Sequence, residues 1–182
     1  MRGTPDEVIA KYLAGALPAD GEANGHIEWA AADAPGNDEV RFLSLTLRND
    51  DDLATSSFDA SQPVYVELRY EVGKRLRNTR TFFFIHTAEG EIAFGATDHL
   101  HQPESLEPGR YRSVFAVPGG VLNRRGYILS AGCDVPGERT IVAEREYLRF
   151  SVCGTGNQAC LYPENWPGTV CPRVPCKVER VS

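Results

Sequence analysis

Residues 62–72, Gln-Pro-Val-Tyr-Val-Glu-Leu-Arg-Tyr-Glu-Val, alternate two kinds of side chain with a period of two. The even positions from 64 to 72 are apolar or aromatic, and three of the four odd positions from 65 to 71 are charged. In an extended chain, successive side chains point to opposite faces. The stretch therefore predicts a strand with one face toward a core and one face away from it.

Similar runs lie on both sides of this strand, separated by turns that contain Gly or Pro. We predict strands at 26–30, 39–49, 62–72, 79–87, 91–98, 111–117, 127–133 and 143–152. A change of phase in the second run predicts a bulge near Phe42. About eight short strands at close intervals indicate an all-β fold, with two antiparallel sheets packed as a sandwich.

The connection Leu106-Glu-Pro-Gly-Arg-Tyr111 supports the same fold. In a tyrosine corner, a Tyr hydroxyl is tied to the backbone of the preceding connection, and this arrangement is typical of sandwich domains. We therefore expect Tyr111 to form such a corner.

Two segments lie outside the predicted strands. Thr4-Pro-Asp-Glu-Val-Ile-Ala-Lys-Tyr-Leu13 predicts one short N-terminal helix, because Thr4 and Glu7 can form a capping box. From Gly154 onward the chain is rich in Cys, Pro and Gly, and we expect Trp166 to be buried by a closing strand on this body or on a second copy. The predicted division is helix and linker at 1–25, sandwich at 26–153 and tail at 154–182.

Composition and charge exclude several function classes. The net charge is −6 and the basic residues are scattered, so the chain lacks the positive patch that nucleic acid requires. No stretch approaches the roughly 20 apolar residues of a membrane span. The N-terminus has no apolar core of a secretory signal, which predicts a soluble, cytoplasmic chain.

Catalytic motifs are also missing. The sequence contains no G-x-x-x-x-G-K-[ST] phosphate loop, no G-x-S-x-G elbow and no H-E-x-x-H pair. We therefore predict that the chain is not an enzyme and carries no cofactor.

Three weaker alternatives involve catalytic or metal-binding residues. A hydrolase would need paired carboxylates, and the candidates are Glu67 with Glu71 and Glu144 with Glu146, which are more simply explained as polar strand faces. A metal site could use His99 and His101 with Asp98 and Glu104, although a polar loop is the simpler interpretation. The five cysteines, at 133, 153, 160, 171 and 176, favour reduced thiols over a disulfide or a zinc site.

The strongest candidate site is a binding face on the side chains that point away from the core. Aromatic rings stack on the apolar C–H faces of sugars, and Arg or His can bond their hydroxyls. If strands 62–72 and 79–87 share a sheet, these groups form one groove. The predicted carbohydrate-binding residues are Tyr65, Arg69, Phe82, Phe84 and His86. The alternative is that the Phe rings fill the core or a dimer interface.

The order and spacing of several segments resemble the C-terminal domain of Wzt-type ATP-binding subunits, which belong to ABC transporters that export O-antigen and related cell-surface polysaccharides. The similar segments are Thr4-Pro-Asp-Glu-Val-Ile-Ala-Lys-Tyr12, the run 40–49, the strand 63–70, the run 92–97 after Glu89-Gly90, Leu106-x-Pro-Gly-x-Tyr111, and Leu148-x-Phe-x-Val152. The Cys-rich ending from Cys153 to Cys176 departs from that pattern.

This resemblance implies an immunoglobulin-like sandwich that binds the exported polysaccharide and has no catalytic activity. It also implies that residues 1–25 follow an ATPase domain, that the domain is a homodimer with exchanged C-terminal segments, and that the parent protein works with a transmembrane permease at the inner membrane. The competing hypothesis is a protein-interaction or dimerisation sandwich without a sugar site.

Overall fold

The computed structural model describes residues 24–154, 167–172 and 174–180. The predicted N-terminal helix and Trp166 lie outside these ranges. Eleven strands run through the described residues, and a single turn of 3-10 helix occupies His99–His101. The strands are β1 His26–Glu28, β2 Val40–Arg48, β3 Ser57–Asp59, β4 Val64–Val72, β5 Leu76–Arg77, β6 Arg80–Thr87, β7 Ile92–Thr97, β8 Ser105–Leu106, β9 Gly109–Val117, β10 Arg125–Val135 and β11 Arg139–Cys153.

Two larger sheets form the body. One has the strand order β1-β2-β4-β9 and the other has the order β3-β11-β10-β6-β7, while β5 and β8 form a small separate pair. All pairings are antiparallel except that of β3 with β11, which is parallel, so the expectation of purely antiparallel sheets is wrong at this edge. The all-β class is confirmed.

Each of the eight predicted strands is present within a few residues of its predicted bounds. The prediction missed β3, β5 and β8, which are only two or three residues long. Such segments are too short to show a two-residue period, and their pairing depends on distant parts of the chain.

The core lies between the two larger sheets. In β4 the even positions from 64 to 72 are all 3% exposed or less, as their alternation predicts. Phe83 of β6 contacts Phe115 of β9 edge to face, with ring centroids 5.0 Å apart, and this pair joins the two sheets. Phe42 and Tyr147 join β2 to β11 in the same way at 6.4 Å.

The predicted bulge near Phe42 is confirmed. Phe42 pairs with Tyr70, but the next paired residue on β2 is Ser44, which pairs with Arg69. The extra residue shifts the alternation by one position, so that Leu45 and Leu47 are buried on the same side as Phe42.

The predicted tyrosine corner is also confirmed, because the Tyr111 hydroxyl donates to the Glu107 carbonyl at 2.8 Å. A second one was missed: the buried Tyr127 hydroxyl lies 2.9 Å from the Asn123 carbonyl and 2.8 Å from the Thr169 carbonyl. Thr169 belongs to the described part of the tail, where Val170 forms a bridge with Leu122. Residues 167–171 therefore pack against the body of their own chain.

Candidate functional site

The five predicted binding residues do not form one groove. Tyr65 and Arg69 are on β4, in the four-stranded sheet, whereas Phe82, Phe84 and His86 are on β6, in the five-stranded sheet. Both sets point away from the core, so they occupy opposite outer faces of the sandwich. The prediction assumed that the two strands share a sheet, and strand pairing of this kind cannot be derived from periodicity.

The outer face of β6 carries a row of side chains that we call the β6 row: Arg80, Phe82, Phe84 and His86. All four are half-buried, and they alternate with buried residues such as Phe83 and Ile85. The interpretation that Phe82 and Phe84 fill the core is therefore wrong. The ring centroids of Phe82 and Phe84 are 5.5 Å apart, and those of Phe84 and His86 are 6.2 Å apart.

Two glycines on the neighbouring strands make room for these rings. A Cβ at Gly132 of β10 would lie 2.5 Å from the Phe82 ring, and a Cβ at Gly95 of β7 would lie 2.5 Å from the Phe84 ring. The rings therefore occupy the space above glycine backbone on either side of β6. A glycine inside a strand commonly marks such a close approach. Gly95 and Gly132 were therefore the sequence signal that could have revealed the β6 row.

Polar groups lie at the His86 end of the row. The Ser130 hydroxyl donates to Glu144 at 2.7 Å and lies 2.9 Å from His86 Nε2. Because the hydroxyl proton is used by Glu144, we assign the imidazole proton to Nε2, which donates to Ser130. His86 Nε2 is also 3.3 Å from the Glu144 carboxylate. Ser130 could not be predicted as a partner of His86 from the sequence, because it is the pairing of β10 with β6 that brings the two side chains together.

A charged pair lies at the other end. The Arg80 guanidinium lies 5.8 Å from the centroid of the Phe82 ring, in cation–π contact. It also bonds both oxygens of Asp134, at 2.7 and 3.0 Å. The hydrogen bond to Asp134 raises the pKa of Arg80 above its ordinary value. The β6 row is thus an aromatic strip with hydrogen-bonding groups at both ends.

The opposite face has a different chemistry. The side chain of Glu67 is only 1% exposed, although the alternation of β4 predicted a solvated position. Three guanidinium groups surround it: Arg69 Nε at 2.7 Å, Arg112 at 2.6 Å and Arg48 Nε at 3.3 Å. We call these four residues the arginine cluster. Burial raises the pKa of Glu67, but hydrogen bonds from Arg112 and Arg69 outweigh this effect, and its pKa is below the ordinary value.

Tyr65 lies on the same face, one pleat from Glu67. Its hydroxyl donates to Asp50 at 3.1 Å, and this bond raises the pKa of Tyr65. Arg48 also pairs with Asp52, so the loop after β2 adds negative charge at this end of the face.

Glu67 does not suit the role of a catalytic acid. A glycosidase acid must hold its proton near neutral pH, which requires a raised pKa. The arginines around Glu67 have the opposite effect. Glu144 and Glu146 are exposed on β11, and Glu144 is already bonded to Ser130.

The possible metal ligands are not arranged as a site. His99 and His101 lie in a helical turn instead of a strand. No group of three or more His, Cys, Asp or Glu side chains in the described ranges could hold a metal ion. Of the cysteines in those ranges, Cys133, Cys153, Cys171 and Cys176 are free thiols. No helix in the same ranges is long and apolar enough to span a membrane.

A small pocket near Asp59, Gln62 and Leu122 has a volume of about 10 Å³, which is room for roughly one water molecule. Typical small-molecule pockets measure about 300–1,000 Å³. This pocket is therefore too small to hold a ligand of that size.

Comparison with known proteins identifies a solved structure with a similar fold. No family model and no curated protein sequence matches the chain. Among solved structures, the C-terminal domain of Wzt matches with a TM-score of 0.62 and 14% sequence identity, over 89% of this chain and 93% of that one. A β-glucuronidase of Parabacteroides merdae matches only at a TM-score of 0.38, with 16% identity, over 63% of this chain and 13% of that one. The predicted resemblance is confirmed at the level of structure: this chain has the fold of the Wzt C-terminal domain.

Proposed function

We propose that the chain is a non-catalytic carbohydrate-recognition domain that binds an exported O-antigen or cell-surface polysaccharide for an ABC transporter. The observation that carries the proposal is the β6 row. Its rings lie over backbone glycines and its ends hold Arg80 with Asp134 and His86 with Glu144. This combination suits sugars, because each sugar ring presents an apolar face and a rim of hydroxyls.

The row also suits a polymer better than a single sugar. From Phe82 to His86 it extends over roughly 13 Å, at about 3.3 Å per residue. The Phe82 and Phe84 rings are inclined to each other by 54°, so successive sugar units along the strand would contact them at different angles. The fold likeness to the Wzt C-terminal domain supports the same proposal at the level of architecture.

In the full assembly, the parent protein would work with a transmembrane permease on the cytoplasmic side of the inner membrane. We propose a homodimer, in which two weak sites gain affinity when one polysaccharide chain reaches both. The mechanism is selection: stacking and hydrogen bonds raise the local concentration of the correct polymer at the transporter.

The test is an NMR titration of the purified chain with polysaccharide from its own source. We expect line broadening at β6 and its neighbours, and loss of binding in Phe82→Ala and Phe84→Ala. Leu100→Ala is the matched control, because Leu100 is 88% exposed and lies outside the row. The free energy of unfolding of the variants should stay within about 1 kcal/mol of the wild-type value, as expected for positions outside the core. Unchanged binding in both Phe variants would contradict the proposal.

The other two predicted binding residues, Tyr65 and Arg69, require a separate test because they lie on the opposite face. If Tyr65→Ala abolishes binding while the Phe variants bind normally, the polysaccharide site is on the four-stranded sheet.

One observation favours a second candidate, a protein-interaction module. Ile92 and Ile128, the cross-strand neighbours of His86, add apolar surface at one end of the row, and Ile92 is 60% exposed. A protein interface should give concentration-dependent association that the same Phe variants weaken. Sedimentation of the wild type and of the Phe82→Ala and Phe84→Ala variants without polysaccharide distinguishes the two functions, because only an interface at the β6 row should be weakened by these variants.

A further inference from the structure

The arginine cluster on the four-stranded sheet has more positive charge than its buried carboxylate balances. Glu67 carries one negative charge, and three arginines share it through contacts of 2.6–3.3 Å. Arg48 has a second acidic neighbour in Asp52, at 3.6 Å. Arg69 and Arg112 have no other acidic partner within salt-bridge distance among the described residues.

These two arginines lie side by side. Arg69 of β4 and Arg112 of β9 are direct partners in the antiparallel ladder, so their Cα atoms are about 5 Å apart. Like charges at such a position repel each other, and like-charge cross-strand pairs destabilise a sheet. The Glu67 carboxylate makes the arrangement stable, because one oxygen accepts from Arg69 Nε and the other accepts from Arg112.

Both guanidinium groups remain available to solvent. The side chain of Arg69 is 53% exposed and that of Arg112 is 55% exposed, while the carboxylate beneath them is almost completely covered. Each guanidinium has five N–H donors, and the contacts with Glu67 use only a part of them. The remaining donors have no hydrogen-bond acceptor among the described residues, and they are fixed in position by the buried carboxylate.

The surrounding charges define the extent of this site. In the next row of the ladder, Glu71 lies between Arg110 of β9, at 3.5 Å, and Arg41 of β2, so that row carries one excess positive charge. Glu28 of β1 lies in the same row as Arg69 but two strands away. The unbalanced positive charge is therefore greatest at Arg69 and Arg112, which share one carboxylate, and it extends into the row of Arg41 and Arg110.

We propose that Arg69 and Arg112 form a binding site for an anionic group carried by a saccharide, either the carboxylate of a uronic acid or a phosphate. Two adjacent guanidinium forks match the oxygens of such groups, and charge-assisted bonds of this kind are strong. The saccharide part of the assignment rests on the proposed function. A nucleic acid backbone does not fit, because the chain has a net charge of −6 and the positive site is small.

The experiment is an NMR titration of the full chain with three probes: trigalacturonate, glucose 1-phosphate and the neutral trisaccharide maltotriose. We expect one or both anionic probes to shift the amide signals of β4 and β9 around Arg69 and Arg112. The neutral probe should leave these signals unchanged. Binding should weaken at least several-fold when the salt concentration rises from low to physiological, because the contact is electrostatic and exposed. Comparison of the two anionic probes identifies the preferred group.

The variant Arg69→Gln/Arg112→Gln should reduce this binding at least tenfold. Arg110→Gln is the matched control, since Arg110 is on the same strand and face and its side chain is 77% exposed. A spectrum with the dispersion of the wild type will verify that the double variant is folded. If it is not, Arg112→Gln alone is used, because Glu67 then keeps two arginine partners.

Absence of shifts with both anionic probes, or equal binding by the double variant, would overturn the proposal. This result is separable from failure of the proposed function, which is tested through Phe82 and Phe84 on the other face. If anionic probes bind at the arginines but no polysaccharide binds the β6 row, the anion site is supported and the carbohydrate-binding role of the β6 row is not.

Discussion

The Phe84 ring lies over Gly95 of the adjacent strand, at a position where a Cβ would come within 2.5 Å of the ring. A methyl group at residue 95 must therefore displace the ring. We expect Gly95→Ala to weaken polysaccharide binding by displacing the Phe84 ring relative to the Phe82 ring, with little loss of stability because β7 is an edge strand. Aromatic NMR signals and a binding titration provide the measurement, and Glu91→Ala is the control. Normal binding with a displaced ring would show that polysaccharide binding does not require the position of the Phe84 ring over Gly95.

The buried carboxylate of Glu67 should make stability depend on acid pH. Its folded-state pKa is below the unfolded value of about 4.5. Its contribution is therefore complete above that value, and it is lost as the pH falls through the folded pKa, because the unfolded chain takes up the proton first. In urea unfolding, the difference in stability between wild type and Glu67→Gln should be constant above about pH 5.5 and shrink below it. Glu71→Gln, at an exposed site on the same face, should show little such change.

Asp98 connects the two sheets through hydrogen bonds. Its carboxylate accepts from the Thr81 amide at 2.8 Å, from the Thr81 hydroxyl at 2.5 Å and from the Ser113 hydroxyl at 2.7 Å. Thr81 is on β6 and Ser113 is on β9. Because Asp98→Ala leaves buried donors unpaired, we expect a loss of about 3 kcal/mol in urea unfolding. Asp51→Ala, on an exposed loop, is the control, and a loss below about 1 kcal/mol for Asp98→Ala would contradict the prediction.

Cys133 should be unreactive in the folded protein. Burial raises the pKa of its thiol to about 12, with a further contribution from the nearby charge of Asp98. Because the thiolate is the reactive form, we expect no alkylation of Cys133 by iodoacetamide at pH 8 until urea unfolds the chain. The exposed Cys176 is the internal control and should react in both states. Peptide mass spectrometry measures both sites, and equal labelling in the folded protein would show that Cys133 is accessible.

Local patterns in the sequence predicted local structure well. The alternation in β4, the change of phase at Phe42 and the Pro-Gly connection before Tyr111 each involve residues that are close in sequence, and the structure confirms all three. Strand order depends on contacts between distant residues. For this reason the sequence did not reveal that β6 pairs with β10 and β7, far from β4.

The candidate site was therefore predicted only in part. Phe82, Phe84 and His86 do share an outer face, but Tyr65 and Arg69 lie on the other sheet. The alternation also placed Glu67 in solvent, because it assigns a side to each residue without showing what covers that side. The arginines that cover Glu67 come from three different strands.

The position of β9 at the end of its sheet gives the arginines on that strand a second consequence. A nine-residue strand that ends a sheet is a template on which other chains can add and aggregate, and charged side chains are one of the means by which proteins prevent this. Arg110 and Arg112 provide such charges, whereas Val114 on the same face does not. The solubility of the domain and the proposed anion site are thus linked through Arg112. Replacement of both Arg110 and Arg112 should lower the solubility of the protein.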